Sequence, residues 1–315
     1  MRVLALVPGG ISDQLQFFPT LTTIKTTYPN AEISVVVEPS SKSGYRVSKA
    51  ISEVIPFDYR GQNSPADWAN LLGIIRDREF ELALCASARW EEAVLLWLSG
   101  IPTRIGYSSS KAPWLFTNTV TADVQEYPVS RYQALLQVLS TSSKPVRIEL
   151  NVPEVDITWA DEQRKSLGVA NNSGYVVMYP GLSVQADCYP VDSWLTIIDD
   201  FQAKQPQLPI VVLETVDSED FVASIGRQRS LKTVDATNLG QIAAILAGAD
   251  LVISPDSYVS QVAIALQVFT LVLQTKLSGV LPPADDETRC LGVQSATDKL
   301  ADLKPDDVLQ KVWGG

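Results

Sequence analysis

The sequence predicts an α/β protein made of two doubly wound halves, and three observations carry this. At 315 residues the chain is long for one hydrophobic core, so two domains of about 150 residues are the natural division. In both halves, apolar strand-like runs alternate with helical stretches of about 10–15 residues, the pattern of βαβ units and a parallel sheet. Near the middle, the polar stretch STSSKPVR (140–147), followed by NVPEVD, interrupts the alternation and reads as a linker. The expected domains are 1–145 and 155–315, two Rossmann-like halves facing a central cleft.

The elements follow in order. MRVLALV reads as a buried parallel strand. Residues 13–28 follow as a helix with Phe17, Leu21, Ile24 and Tyr28 on one face. AEISVVVE is a second strand, and a short third lies around Glu53–Tyr59. Residues 65–78 are helical, with Ser64 as N-cap and Pro65 in the first turn. FELALC is a strand, EEAVLLWLSG a helix ending at Gly100, and RIGY another strand. In the second half, GYVVMYP, LPIVVLE, DLVIS and VFTLVLQ are strands. Helices are expected over 190–204, 217–227, LGQIAAILAGA, 257–267 and 305–312. Ligands of such folds sit outside the carboxyl ends of the strands, where the loops of interest fall.

Composition narrows the function. A hydrophobic fraction of 46% and a charged fraction of 19% describe an ordinary globular protein. The formal charge of −11 argues against a nucleic-acid partner and disfavours a purely electrostatic grip on anionic lipid. No apolar run reaches the roughly 18–20 residues of a membrane span. Cys85, Cys188 and Cys290 are odd in number and widely spaced, as befits reduced thiols of a cytoplasmic protein. Cys85 reads as a small core residue. Trp90, Trp97 and Trp114 suit an interfacial patch, but tryptophan at helical spacing is more often core. Histidine is absent, which excludes a His-based triad, a His general base and His-ligated zinc or iron. Acid–base chemistry would fall to Asp, Glu, Lys, Tyr or Cys.

The loop PGGISDQLQFFP (8–19) lies between the first strand and first helix, where glycines permit tight turns and a helix N-terminus favours an anion. It lacks the third glycine of a dinucleotide fingerprint. A nicotinamide-dependent oxidoreductase is therefore a weak reading, although Glu38 ends the second strand where a ribose-binding acid would sit. Asp13 falls at the helix start, where an acid ordinarily stabilises the helix dipole.

Gly9, Asp13, Leu15 and Pro19, with Ser12 between them, are followed by TLTTIKTTYPNAEISVVVE and IPTRIGY. The second half adds YPG, YPVDSW, VVL with Glu219, ADLVISPDS and LPP. In this order and spacing the chain resembles the ADP-heptose:lipopolysaccharide heptosyltransferases (glycosyltransferase family 9), as a divergent member. The first loop of that family runs Gly-x-x-Gly-Asp-x-Leu-x-x-x-Pro, with Ser12 here at the second glycine. The resemblance implies a GT-B fold, with the last helix free to return to the first domain. It also implies inverting, metal-independent transfer of a sugar from a nucleotide diphosphate to a saccharide or lipid-linked acceptor, with no cofactor. A cytoplasmic protein with peripheral contact at the inner membrane face would suit that role.

By the same resemblance Asp13 is the base that takes the acceptor's proton, and Glu219 holds the donor ribose. Asp256 and Ser257 lie beside the diphosphate and sugar. Each has an ordinary alternative, Glu219 as a first-turn acid and Asp256 as an N-cap. The sequence also departs from the family. Asp187, before Tyr189-Pro190, stands where the family has a phosphate-binding Lys, and an acid there repels a diphosphate. Tyr258 replaces a glycine beside the ligand, and Gln261 replaces a His. Glu214, Thr215 and Val216, then Gln274 and Thr275, stand where glycines or a Gly-Pro pair are expected. Lys276, in the late loop, could replace the missing Lys or equally be a solvated surface lysine. Two functions follow as expectations: an active glycosyltransferase, or a catalytically inactive relative that binds a protein partner in an assembly.

Overall fold

The computed structural model describes every residue except 124, 140–146, 170–173, 182–187, 227–230, 284–288 and 315. Most of the linker expected over 140–147 thus lies outside the described residues. The chain forms two compact units, Met1–Asn151 and Val152–Gly315.

In the first unit, strands β1 (Arg2–Val7), β2 (Glu32–Val37), β3 (Glu53–Pro56), β4 (Leu82–Cys85), β5 (Thr103–Tyr107) and β6 (Asn118–Val120) form one sheet in the order 3-2-1-4-5-6. Every pairing is parallel; Leu4 of β1, for instance, lies opposite Ser34 and Ala83. β1 and β4 are buried along almost their whole length, as the continuous apolar runs require of strands covered on both faces.

Helices α1 (Ile11–Thr27), α2 (Pro65–Asp77), α3 (Trp90–Ser99) and α4 (Pro128–Ala134) flank this sheet. Ser64 caps α2 as its sequence predicts: its hydroxyl accepts the Asp67 N–H at 3.3 Å while Asp67 accepts the Ser64 N–H at 2.8 Å. α3 stops at Gly100, whose φ of +78° lies in the left-handed region that glycine enters without a Cβ penalty. Phe17, Leu21 and Ile24 of α1 are buried, and the helix packs on both α4 and the 3₁₀ turn Pro39–Val47.

The second unit repeats the plan. It opens with α5 (Glu154–Ser166) and pairs β7 (Val176–Met178), β8 (Ile210–Glu214), β9 (Lys232–Asp235), β10 (Leu251–Pro255), β11 (Phe269–Gln274) and β12 (Cys290–Gln294). The order is 12-11-10-7-8-9, all parallel. The remaining helices are α6 (Val191–Lys204), α7 (Glu219–Gly226), α8 (Leu239–Leu246), α9 (Tyr258–Ala265) and α10 (Pro305–Trp313). Trp194, Ile198 and Phe201 of α6 fill the core against Ile253 and Leu271. The closing helix α10 packs on α6 and β12 of its own unit, where the Trp313 indole N–H donates to Asp200 at 2.7 Å.

The strand order of each sheet therefore reverses at one point, between β1 and β4 in the first and between β7 and β10 in the second. Crevices at such points lie outside the carboxyl ends of the flanking strands. No helix among the described residues is long and apolar enough to cross a membrane.

Candidate functional site

In the first unit the switch-point loop is Pro8–Gly10, between β1 and α1. Gly9 has φ +117°, and a Cβ there would collide with the Asp13 carboxylate, so only glycine serves. Asp13 lies in the first turn of α1. Its Oδ2 accepts the Gly10 N–H at 2.8 Å, and its Oδ1 accepts the Tyr132 hydroxyl of α4 at 3.2 Å. Both oxygens thus serve the fold, and the half-buried carboxylate keeps some exposure to solvent. Burial, then the Asp13 charge, pushes the Tyr132 phenol well above its ordinary range, so it donates as the neutral form.

Sequence reasoning missed the residues that fix this loop. Gln14 is fully buried; its amide donates to Val7 O at 2.9 Å and its carbonyl accepts the Tyr45 hydroxyl at 2.7 Å. Ser41 donates to Gly9 O at 2.9 Å. One signal was available: Gln14 precedes Phe17 by three residues and Leu21 by seven, so it is a polar residue inside an apolar stripe. A buried amide in that position needs partners at both ends.

Around the carboxyl ends of β2 and β4, Glu38 is buried with its carboxylate 4.0 Å from Arg60, and Glu92 of α3 is buried 3.7 Å from Arg89. Burial raises both carboxyls above their ordinary range, with Asp58 adding to the effect on Glu38. Arg89 also donates to Tyr59 O at 2.9 Å, stitching β3 to the start of α3. Glu38 therefore looks toward Arg60 in the fold's own charge network. Cys85 is the inert core thiol its sequence suggests, pushed up to about 12 by burial.

In the second unit the switch-point strands lead to Tyr179 after β7 and to Asp256 and Ser257 after β10. Ser257 is the N-cap of α9: it accepts the Ser260 N–H at 3.4 Å, and its own N–H donates to Ser260 Oγ at 3.0 Å. This corrects the alternative that made Asp256 the cap, because the cap lies one residue later. Asp256 instead ties two loops together. Its N–H donates to Leu273 O at 3.0 Å and its Oδ2 accepts the Gly279 N–H at 3.0 Å. Burial raises its carboxyl, against the lowering effect of that hydrogen bond.

Tyr258 opens α9 and turns its ring toward Tyr179, with centroids 6.4 Å apart at 58°. Its hydroxyl joins those of Tyr179 and Thr215. The Tyr179 and Thr215 oxygens lie 3.5 Å apart, and Thr215 is held by Ser218 through an N–H···Oγ bond of 2.8 Å. Two rings and three hydroxyls thus cluster at the carboxyl ends of β7 and β8. Desolvation raises both phenols, and the nearby Asp217 adds to the shift.

The other predicted residues scatter around this cluster. Glu219 is exposed at the start of α7, and Glu214 at the end of β8 is raised by burial, then by Asp235 and Glu219. Gln261 lies one turn into α9, and its buried Oε1 has no partner among the described residues. Lys276 is exposed in the loop after β11, its N–H donating to Thr297 O at 3.3 Å. Asp187 lies outside the described residues. Of the two readings of the tryptophans, core placement is overturned: Trp90, Trp97 and Trp114 are 53%, 54% and 75% exposed. The apolar residues of α3 that reach the core are Ala93, Leu95 and Leu96 instead.

The model of glycosyltransferase family 9 (heptosyltransferase) matches residues 68–312. A relative from Arabidopsis thaliana, "Photosynthetic NDH subunit of subcomplex B 1, chloroplastic", is 24% identical over 96% of this chain and 71% of its own length. Among solved structures, a glycosyl transferase family 9 protein of Veillonella parvula superposes with a TM-score of 0.79 at 17% identity, covering 98% of this chain and 95% of that one. The E. coli ADP-heptose lps heptosyltransferase II superposes with a TM-score of 0.78 at 18% identity, covering 99% and 97%. These likenesses share the α/β fold of two parallel six-stranded sheets, and the matched model extends from α2 through almost all of α10. The chain belongs to glycosyltransferase family 9, the heptosyltransferases.

Proposed function

We propose that this chain is a non-catalytic member of its family and serves as a structural subunit of a multiprotein assembly. The observation that carries this reading is the cluster of Tyr179, Thr215 and Tyr258 at the carboxyl ends of β7 and β8. A nucleotide diphosphate needs open backbone and positive charge at that edge. Here two rings lie against it, and the surrounding charges among the described residues include Glu214, Asp217, Glu219 and Asp256. Lys276 is the only cation among the predicted donor-binding residues. A relative named as a subunit of a photosynthetic NDH subcomplex supports a role in assembly.

The second reading, an active inverting transferase, rests on Asp13, which keeps partial exposure at the first switch point. A nucleotide diphosphate sugar would be its donor and a saccharide or lipid-linked molecule its acceptor. One experiment separates the two. Tagged chain expressed in the cells that make it is resolved on native gels, and the purified chain is assayed for transfer from ADP-heptose. Migration well above one chain's mass without transfer supports the subunit; migration as a free chain with turnover that Asp13→Ala abolishes supports the transferase.

A further inference from the structure

The tryptophans that escape the first unit's core mark a second feature. Trp90 and Trp97 lie on α3, and Trp114 lies in the short turn that packs against it. Their exposed surface is roughly 400 Å², taking about 225 Å² for a whole ring, comparable to the largest apolar patches of ordinary monomers. Beside Trp90, α2 and α3 leave a trough of about 280 Å³. Trp68, Ala69 and Leu72 wall one side, and Trp90, Val94 and Leu98 the other. The single charged residue in its lining, Glu91, is held by Arg89 at 3.1 Å.

Cations stand at both ends of α3. Lys111 is tied beside the helix start, its N–H donating to Ala88 O at 3.0 Å, and Arg76 donates to Leu98 O at 2.6 Å at the helix end. Neither lies in a close ion pair among the described residues, although the Lys111 charge also reaches Glu91. Asp67 on α2 is turned onto Ser64, accepting its N–H and hydroxyl.

We infer that this trough docks an amphipathic helix of another protein, one with an apolar stripe at i, i+4 and i+7 and acidic residues toward its two ends. The inference rests on the subunit reading above and names the contact surface. An apolar trough flanked by cations matches that helix in shape and sign. A second copy of this chain, or an anionic bilayer, would meet a molecule of formal charge −11. A bilayer also takes up a protruding ridge, and this feature is a channel between two ridges.

The test uses the full chain in the cells that make it. Leu98→Glu places a charge on the exposed wall, and a thermal melt matching the parent's establishes that the variant folds. A photo-crosslinking amino acid in place of Ala69 then identifies what lies in the trough. The expected result is at least about a ten-fold loss of the assembly-bound fraction for Leu98→Glu. The crosslink is expected on one polypeptide segment with the stated apolar stripe and acidic ends. Undiminished assembly of Leu98→Glu, or a crosslink to lipid, to a second copy or to nothing, overturns the inference and leaves the subunit reading standing. A parent chain found free of any assembly overturns the subunit reading itself.

Discussion

Replacing Asp13 by alanine distinguishes a carboxylate kept for the fold from one kept for chemistry. The side chain accepts two hydrogen bonds, from the Gly10 N–H at 2.8 Å and from the Tyr132 hydroxyl at 3.2 Å. Loss of a first-turn cap costs about 1 kcal/mol, and a buried phenol left without its acceptor costs about 1–3 kcal/mol. Because Asp13 is only half-buried, water recovers part of the second term, and the expected loss is about 2–3 kcal/mol. For a unit of this size that lowers the melting temperature by roughly 5–10 °C. Asp13→Asn keeps an acceptor without the charge and should lose about half as much. A double-mutant cycle with Tyr132→Phe should return a coupling of about 1 kcal/mol. Calorimetric melts of the four proteins measure all of this. An unchanged or raised melting temperature for Asp13→Ala would refute the reasoning, since side chains held in place for catalysis are often those whose removal stabilises.

Tyr45→Phe should destabilise by about 1–3 kcal/mol, because it leaves the buried Gln14 carbonyl without its donor; urea denaturation checks this. A Cβ on Gly106 of β5 would overlap the buried Phe116 ring, so Gly106→Ala should cost about 1–3 kcal/mol by the same measurement. The Glu92 carboxyl is raised in the folded chain, chiefly by burial. Its contribution to stability is therefore fully present below the unfolded value and is lost as pH rises through the folded one. Relative to the parent, Glu92→Gln should gain stability as pH rises from the ordinary carboxyl value of 4.5 toward neutrality. Melts across that range showing a constant difference would contradict it.

Much of the fold is legible in the sequence because it depends on local signals. Buried parallel strands such as β1 and β10 are continuous apolar runs, Ser64-Pro65 announces the start of α2, and Gly100 the end of α3. The elements missed at sequence level lack such signals. β6, β9 and β12 are edge or near-edge strands with mostly exposed side chains, so their apolar pattern is thin. α5 buries little beyond Asp156 and Ala160 and carries no apolar stripe. The placement of Asp13, Ser257 and Tyr258 just beyond strand ends was legible from the alternation of strands and helices. The site was not legible where partners are distant in sequence: Tyr132 reaches Asp13 across 119 residues, and Tyr45 reaches Gln14 across 31. The tryptophans failed for a related reason, since helical spacing tells which residues share a face but not which face meets the core.

The most direct measurement of the subunit reading is a calorimetric titration of the purified chain with ADP and with an ADP-linked sugar. With Tyr258 and Tyr179 against the strand ends and carboxylates around them, no saturable heat is expected at ligand concentrations of about 1 mM, where binding of even about −4 kcal/mol would register. Saturable binding of either ligand that Glu219→Ala abolishes would contradict it and return the chain to the active transferases.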